Sequence, residues 1–140
     1  MLMLRGTPVI AGEAAGDALV SDEPISFWGG YDAATGEIID RRHPLSGQHA
    51  DGRVLAVPFT RGSSTTAQVL LEAVRTGRAP AAIITSRIDS FVALASVVAD
   101  ELYQRPIPVV VLARADFEKL QTGQHVVVHR DGRVDVTRSG

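Results

Sequence analysis

The fold is decided by residues 81–112, AAIITSRIDSFVALASVVADELYQRPIPVVVL. The run AAIIT at its start and the run IPVVVL at its end are short, apolar and rich in β-branched residues, as in strands covered on both faces. Between them, apolar residues recur at helical spacing and predict a helix over 89–103, capped by Ser86 or Asp89. Strand, helix and strand in this order predict a right-handed crossover between parallel strands.

A second helix is predicted immediately upstream, over residues 65–76. Its apolar residues also recur at helical spacing, and Thr65 with Gln68 fits a capping box at its start. Gly77 stands where such a helix would end. The helix therefore precedes the first strand of the crossover and adds another α/β unit.

The two ends of the chain differ from this α/β region in glycine content and in the spacing of their apolar residues. Residues 1–62 contain nine of the 13 glycines and short apolar bursts, which predict short strands joined by glycine turns. A helical turn is expected at 115–120. The chain closes on 125–129 and 133–137, whose alternating valines flank Asp131-Gly132 and predict a hairpin with a type I′ turn and one buried face. We expect one mixed α/β domain over residues 1–140, with short mixed sheets, two main helices and a C-terminal hairpin.

Composition excludes several classes of chemistry. The 140 residues contain no cysteine, which excludes disulfides, thiolate zinc sites, a cysteine nucleophile and an iron–sulfur cluster held by this chain's own ligands. The net charge of −2 gives no reason to expect binding to nucleic acid or to an acidic membrane. The N-terminal apolar run, Met1–Leu4, is too short for a signal or a membrane span. A cytoplasmic protein is expected.

The segment from Phe59 to Thr66, FTRGSSTT, is the strongest candidate for a site. It leads from a strand into the first helix, so its hydroxyls and backbone N–H groups lie at a helix N-terminus, which holds anions. The same field stabilises an alkoxide, and a serine there can act as a base. The ordinary alternative is that these serines and threonines only cap the helix.

A second candidate is the segment SFWGGYDAATG, residues 26–36. Adjacent glycines beside bulky aromatics predict a backbone that approaches another group closely. For Trp28 we expect a buried plug under a tight turn. Asp32 fits an Asx turn as well as it fits a binding role.

The four histidines give weaker signals. His43 and His49 lie in a polar loop with Asp40, but their spacing matches no zinc pattern, and a surface loop is expected. His125 and His129 are expected on an exposed hairpin. No metal site is predicted.

Three ordered motifs resemble the small subunit, or swivel domain, of the aconitase X family of dehydratases. They are Ser-Phe-Trp-Gly-Gly-Tyr-Asp (26–32), Thr-Gly-Glu-Ile-Ile-Asp (35–40) and Arg-Gly-Ser-Ser (61–64). The resemblance continues through His43-Pro44, Gly47, 79–84 and 106–110, and covers residues 7–112. It implies a swivelling β/β/α fold like the fourth domain of aconitase.

The resemblance also implies an activity and a partner. Family members dehydrate cis-3-hydroxy-L-proline, giving Δ1-pyrroline-2-carboxylate, or 5-phosphomevalonate, with an iron–sulfur cluster held by cysteines of a large subunit. The arginine-rich, bacterial-looking composition favours the hydroxyproline. This chain would then be active only with its large subunit.

The first serine of the Gly-Ser-Ser motif is the base in aconitase-like enzymes, and this role carries over to Ser63. Thr65 stands where aconitase has a substrate-binding arginine, so Arg61 or the partner is expected to hold the carboxylate instead. The other expected substrate-binding residues are Gly62, Ser64, Thr65, Gly29, Gly30 and Asp32. A non-catalytic binding module stays open as another class, including a phosphohistidine carrier that uses His43 or His49.

Overall fold

The computed structural model describes residues 1–62 and 64–138. Its strands are β1 (Leu2–Arg5), β2 (Thr7–Ile10), β3 (Ala14–Val20), β4 (Ile25–Ser26), β5 (Val54–Ala56), β6 (Thr60–Arg61), β7 (Ala82–Thr85), β8 (Val109–Val111), β9 (His125–Val128) and β10 (Arg133–Thr137). Its helices are α1 (Ser64–Thr76), α2 (Ser90–Tyr103) and α3 (Arg114–Phe117). This is the mixed α/β class that the sequence predicts.

Eight strands form one sheet in the order β1-β10-β9-β3-β5-β7-β8-β2. Strands β3, β5, β7 and β8 are parallel, and the remaining pairs are antiparallel. The two strands at the ends of this order, β1 and β2, are joined by Gly6 alone, so the sheet curls until its edges meet there. A Cβ on Gly6 would lie 2.3 Å from Cγ1 of Val110, so the closure requires glycine.

Closure of the sheet creates two apolar cores. The inner core contains side chains from most of the strands and Phe117 of α3. The outer core lies between the parallel strands, helices α1 and α2, and the long connection between β4 and β5. Strand β7 is buried at all four positions, as the run AAIIT predicts, because it faces both cores.

The ends of the two main helices agree closely with those predicted from the sequence. Asp89 is the N-cap of α2, and its carboxylate accepts the N–H groups of Phe91 and Val92. Gly77 ends α1 with a φ of +76°, and its N–H donates to the carbonyl of Val74. The capping box at Thr65 is wrong, because α1 begins at Ser64 and Thr65 lies inside its first turn.

The C-terminal hairpin has the buried face that the sequence predicts, but its turn differs from the predicted type I′ turn. Its four alternating valines are all at most 3% exposed; they are Val126, Val128, Val134 and Val136. A type I′ turn needs positive φ at both central residues, but Gly132 has φ +92° and Asp131 does not have a positive φ. The loop instead holds three residues between His129 and Arg133, with Gly132 alone in the left-handed region.

The connection between β4 and β5 folds over the outer core with little regular structure. Of the short strands expected within residues 1–62, this connection contains only two isolated bridges among the described residues, Tyr31–Ile38 and Glu37–His49. Tyr31 is 4% exposed, and its hydroxyl donates to the carbonyl of Arg78 at 2.6 Å. This hydrogen bond joins the connection to the segment that follows α1.

Tyr31 makes a testable contribution to stability. Burial, with a smaller effect of Asp51, raises the pKa of its hydroxyl well above the ordinary value. The unfolded chain therefore ionises Tyr31 first, and its stabilising contribution is present below about pH 10 and lost as pH rises further. Tyr31→Phe should lower the free energy of unfolding by about 1 kcal/mol at pH 7.

Urea titrations at several pH values check this expectation. The difference between wild type and Tyr31→Phe should shrink above pH 10, while Tyr103→Phe, at a half-buried tyrosine, serves as the control. A difference that is constant from pH 7 to pH 11 would contradict this role of the buried hydroxyl.

Candidate active site

The segment between β6 and α1 is held by backbone pairing with β4. Arg61 is paired in parallel with Ser26, and Gly62 follows with a φ of +119°, a conformation that favours glycine. Ser63, the expected base, lies outside the described residues. The described chain resumes at Ser64, where α1 begins.

Two threonine hydroxyls lie at the start of α1 beside Gly62. A Cβ on Gly62 would be 3.3 Å from Oγ1 of Thr66 and 3.8 Å from Oγ1 of Thr65. Thr66 is only 1% exposed, and its Oγ1 has no hydrogen-bond partner among the described residues. The first N–H groups of a helix also lack partners within the helix. The start of α1 therefore contains a buried hydroxyl that has no partner within the described part of the chain.

Asp89 anchors the strand that leads into this segment. One carboxylate oxygen caps α2, and the other accepts both the N–H of Thr60 at 2.7 Å and its hydroxyl at 2.5 Å. Beside this clamp, the guanidinium of Arg87 lies 3.6 Å above the ring of Phe59. One buried carboxylate thus connects the start of α2 to the residue just before Arg61.

The Gly29-Gly30 loop lies at the same end of the molecule. A Cβ on Gly30 would lie 2.1 Å from the carbonyl oxygen of Ser26, so only glycine fits this close approach. The hydroxyl of Ser26 donates to the carbonyl of Trp28 at 3.0 Å. Because Ser26 pairs with Arg61, the loop lies beside the segment that precedes Ser63.

The expected burial of Trp28 is wrong. Its side chain is 66% exposed, and the neighbouring Phe27 is fully buried instead, with its ring centroid 5.1 Å from that of Tyr31. Phe27 fills the core under the loop, so the adjacent indole is left on the surface next to the glycine pair.

Asp32 lies away from the other candidate site residues, which surround the start of α1. Its carboxylate accepts the N–H of Ala34, which confirms the Asx turn. The carbonyl of Ala33 accepts the hydroxyl of Thr76, at the C-terminal end of α1. A helix of 13 residues spans about 20 Å, so Asp32 lies near the opposite end of α1 from Ser64.

Arg61 lines a groove of about 190 Å³ that the sequence did not predict. The groove is formed by three segments of the chain, and its lining residues are Glu23, Pro24, Ser26, Asp40, Arg42, His43 and Arg61. Nothing in local spacing could reveal it, because its walls are up to about forty residues apart in sequence.

The surface position expected for His43 is also wrong. His43 is 8% exposed, its Nδ1 accepts the N–H of Leu45 at 3.1 Å, and its Nε2 therefore donates to the carbonyl of Pro24 at 3.1 Å. Both ring nitrogens are in use, which argues against a phosphate carrier. His129, also expected to be exposed, is instead half-buried and lies 2.8 Å from Asp135. His49 and His125 are exposed as expected.

Two further observations concern metals and membranes. Within residues 1–62 and 64–138, the structure shows no group of three or more histidine or acidic side chains that could hold a metal ion. Over the same ranges, it shows no helix long and apolar enough to cross a bilayer. The residues of this chain do not fit an iron–sulfur cluster, since it has no cysteine.

The sequence pattern of the family described as the aconitase X swivel domain matches residues 3–136. The chain belongs to this family. It also resembles the crystal structure of Thermococcus kodakaraensis aconitase X in its holo form, with a TM-score of 0.88, 31% identity and coverage of 99% of this chain and 100% of that chain. The swivel-domain fold is thereby confirmed.

Two kinds of curated relative match this aconitase X swivel domain. Cis-3-hydroxy-L-proline dehydratase of Hypocrea jecorina is 43% identical over 97% of this chain, but this chain spans only 23% of that protein. The phosphomevalonate dehydratase small subunit of Thermococcus gammatolerans is 37% identical over 96% of this chain and 98% of that subunit. The family is one of dehydratases, and the name of the second relative implies a large-subunit partner.

The Asp89 clamp yields a stability prediction. Asp89→Ala should lower the free energy of unfolding by about 2–3 kcal/mol, since it removes an N-cap and the acceptor of two further hydrogen bonds. Thr60→Val removes only the hydroxyl donor and should cost about 1 kcal/mol. Urea denaturation measures both values.

Asp100→Ala is the matched control, because Asp100 is an exposed aspartate near the other end of α2. It should change stability by less than about 0.5 kcal/mol. Equal losses for Asp89→Ala and Asp100→Ala would show that the clamp contributes nothing.

Proposed function

We propose that this chain is the small subunit of an aconitase X-type hydro-lyase that converts cis-3-hydroxy-L-proline to Δ1-pyrroline-2-carboxylate in the cytoplasm. A large subunit would carry the iron–sulfur cluster, and Ser63 would supply the base. The observation that carries this proposal is the position of Ser63 in the chain. It stands between Arg61, which lines a charged groove, and the polar start of α1.

The reaction class explains why a base belongs here. Dehydration of a β-hydroxy acid removes the proton next to the carboxylate and expels the hydroxyl from the neighbouring carbon. In the hydroxyproline, the first product tautomerises to Δ1-pyrroline-2-carboxylate. A serine at a helix N-terminus is favoured as a base, because the helix dipole and the free N–H groups stabilise the alkoxide. The proton moves from the carbon to Oγ of Ser63.

The other groups around Ser63 would bind the substrate. Arg61 would hold the carboxylate, and the backbone N–H groups of Gly62, Ser64 and Thr65 would add donors at the start of α1. Gly29 and Gly30 would form the opposite wall. Nothing lies within 4 Å of where a Cβ of Gly29 would be, so the substrate has room there. We leave Asp32 out of this site because of its place near the far end of α1.

Exposed apolar side chains beside the site support a large-subunit partner. Trp28, Ile88 and Phe91 are 66%, 72% and 40% exposed. Ile88 and Phe91 flank Asp89, and Trp28 adjoins the Gly29-Gly30 loop, so these side chains border the proposed site. Apolar patches rimmed by polar groups are typical of interaction surfaces. A subunit that covered them would also exclude water, which a serine base requires.

Phosphomevalonate dehydration is the alternative of the same class. It is favoured by the near-complete length match to separate small subunits, whereas the higher identity favours the hydroxyproline. Both substrates carry a carboxylate next to the carbon that loses its proton. A non-catalytic swivel-type module is the alternative of another class, and it predicts that Ser63 can be replaced without effect on turnover.

The Ser63 prediction needs the complex of this chain with its large subunit, prepared without oxygen. Ser63→Ala should lower kcat by at least about a hundredfold, as loss of a general base does. Complex formation and iron content should not change. Ser90→Ala, at an exposed serine at the start of α2, is the control and should keep normal kcat. Near-normal turnover by Ser63→Ala would place the base elsewhere.

Arg61 is tested by its effect on substrate binding. Arg61→Gln should raise KM for the hydroxyproline by about ten- to a hundredfold, because a charge-assisted hydrogen bond to the carboxylate is lost. Arg41→Gln is the control, since Arg41 pairs with Glu37 and does not line the groove. An unchanged KM for Arg61→Gln would assign the carboxylate to another residue or to the partner.

A further inference from the structure

The groove beside Arg61 contains charges of both signs. Arg42 and Arg61 supply two guanidinium groups, and Glu23 and Asp40 supply two carboxylates. Among the described residues, neither arginine is engaged in an ion pair. Oδ1 of Asp40 accepts the N–H of Arg42 at 3.0 Å, while its Oδ2 has no protein partner in the described chain. The two guanidinium groups and Oδ2 of Asp40 are thus available to a ligand.

The position of Asp40 is fixed by backbone and histidine contacts. The carbonyl of Asp40 accepts the N–H of His43 at 3.1 Å. The His43 ring in turn donates to the carbonyl of Pro24. The turn that carries Asp40 is therefore tied to the segment before Ser26, which pairs with Arg61. Asp40 and Arg61 are thereby both brought to the lining of one groove.

The size of the groove suits a small ligand. Its volume of about 190 Å³ lies below the range of roughly 300–1,000 Å³ that drug-sized ligands occupy. A five-membered ring with one carboxylate is of the right scale, and the groove's balanced charge suits a ligand with balanced charge.

The two candidate substrates differ in the charged groups that they carry. A hydroxyproline carries a secondary ammonium group beside its carboxylate and has no net charge. Phosphomevalonate carries a carboxylate and a phosphate and has no cationic group. Carboxylates in the groove attract the ammonium and repel a second anion.

We propose that Asp40 binds the ammonium group of a zwitterionic β-hydroxy α-amino acid while Arg61 holds its carboxylate. Asp40 is then a substrate-positioning residue of the proposed site. This inference rests on the proposed function, because it assigns the substrate class of the same site.

The test compares two inhibitors of the complex of this chain with its large subunit. L-proline and (S)-tetrahydrofuran-2-carboxylate share the ring size and the carboxylate, but only proline has the ammonium group. Wild type should bind proline more tightly. Asp40→Asn should weaken proline binding by about ten- to a hundredfold and leave binding of the tetrahydrofuran carboxylate unchanged.

Two features of the design keep the outcome interpretable. Asparagine retains an oxygen that can accept the N–H of Arg42, so the turn is preserved in Asp40→Asn. Asp100→Asn makes the same chemical change at an exposed site outside the groove and should alter neither inhibition constant. An unchanged proline constant in Asp40→Asn, or an equal loss for both inhibitors, would overturn the assignment.

Failure of the proposed function would look different. A complex that dehydrates neither candidate substrate would refute the dehydratase proposal, and the same inhibitor pair, measured by calorimetry, would still test Asp40. Activity on the hydroxyproline with no dependence of proline binding on Asp40 would refute only this inference.

Discussion

Closure of the sheet at Gly6 is the constraint on which the rest of the structure depends. One residue joins β1 to β2, although these strands lie at opposite ends of the strand order. The sheet must therefore enclose an inner core, and only its outer face is left to pack against α1 and α2. The helices lie on that face because the connections between neighbouring parallel strands cross it. A Cβ at Gly6 would collide with Val110.

The direction of the parallel strands then decides where the site can form. Strands β3, β5 and β7 are neighbours, and their carboxyl ends lead into 21–26, 57–62 and 86–89. Ligands in α/β folds bind at the carboxyl ends of the parallel strands, because loops from adjacent strands converge there. The same convergence brings Thr60 to Asp89. The clamp and the groove both follow from strand direction.

The sequence predicted what depends on neighbours along the chain and missed what depends on distant segments. The crossover from β7 to β8 and the Asp89 cap are visible in local periodicity and spacing. The exposure of Trp28 is not, because Phe27 and Trp28 are both aromatic and the choice between them depends on packing against Tyr31. His43 is buried because its ring meets a carbonyl nineteen residues away. The groove needs three segments together, so no local pattern predicts it.

Two unusual features occur just before and at the start of α1. Gly62 adopts a φ that other residues adopt only with strain, and Thr66 buries a hydroxyl that lacks a partner among the described residues. Such a buried group costs about 1–3 kcal/mol. The Asp89 clamp and the pairing of Arg61 with Ser26 hold the strand that leads into this segment. Local costs that the surrounding structure offsets are typical of functional sites. The buried Thr66 hydroxyl is thus a local cost next to the segment that carries Ser63, where the proposed chemistry would occur.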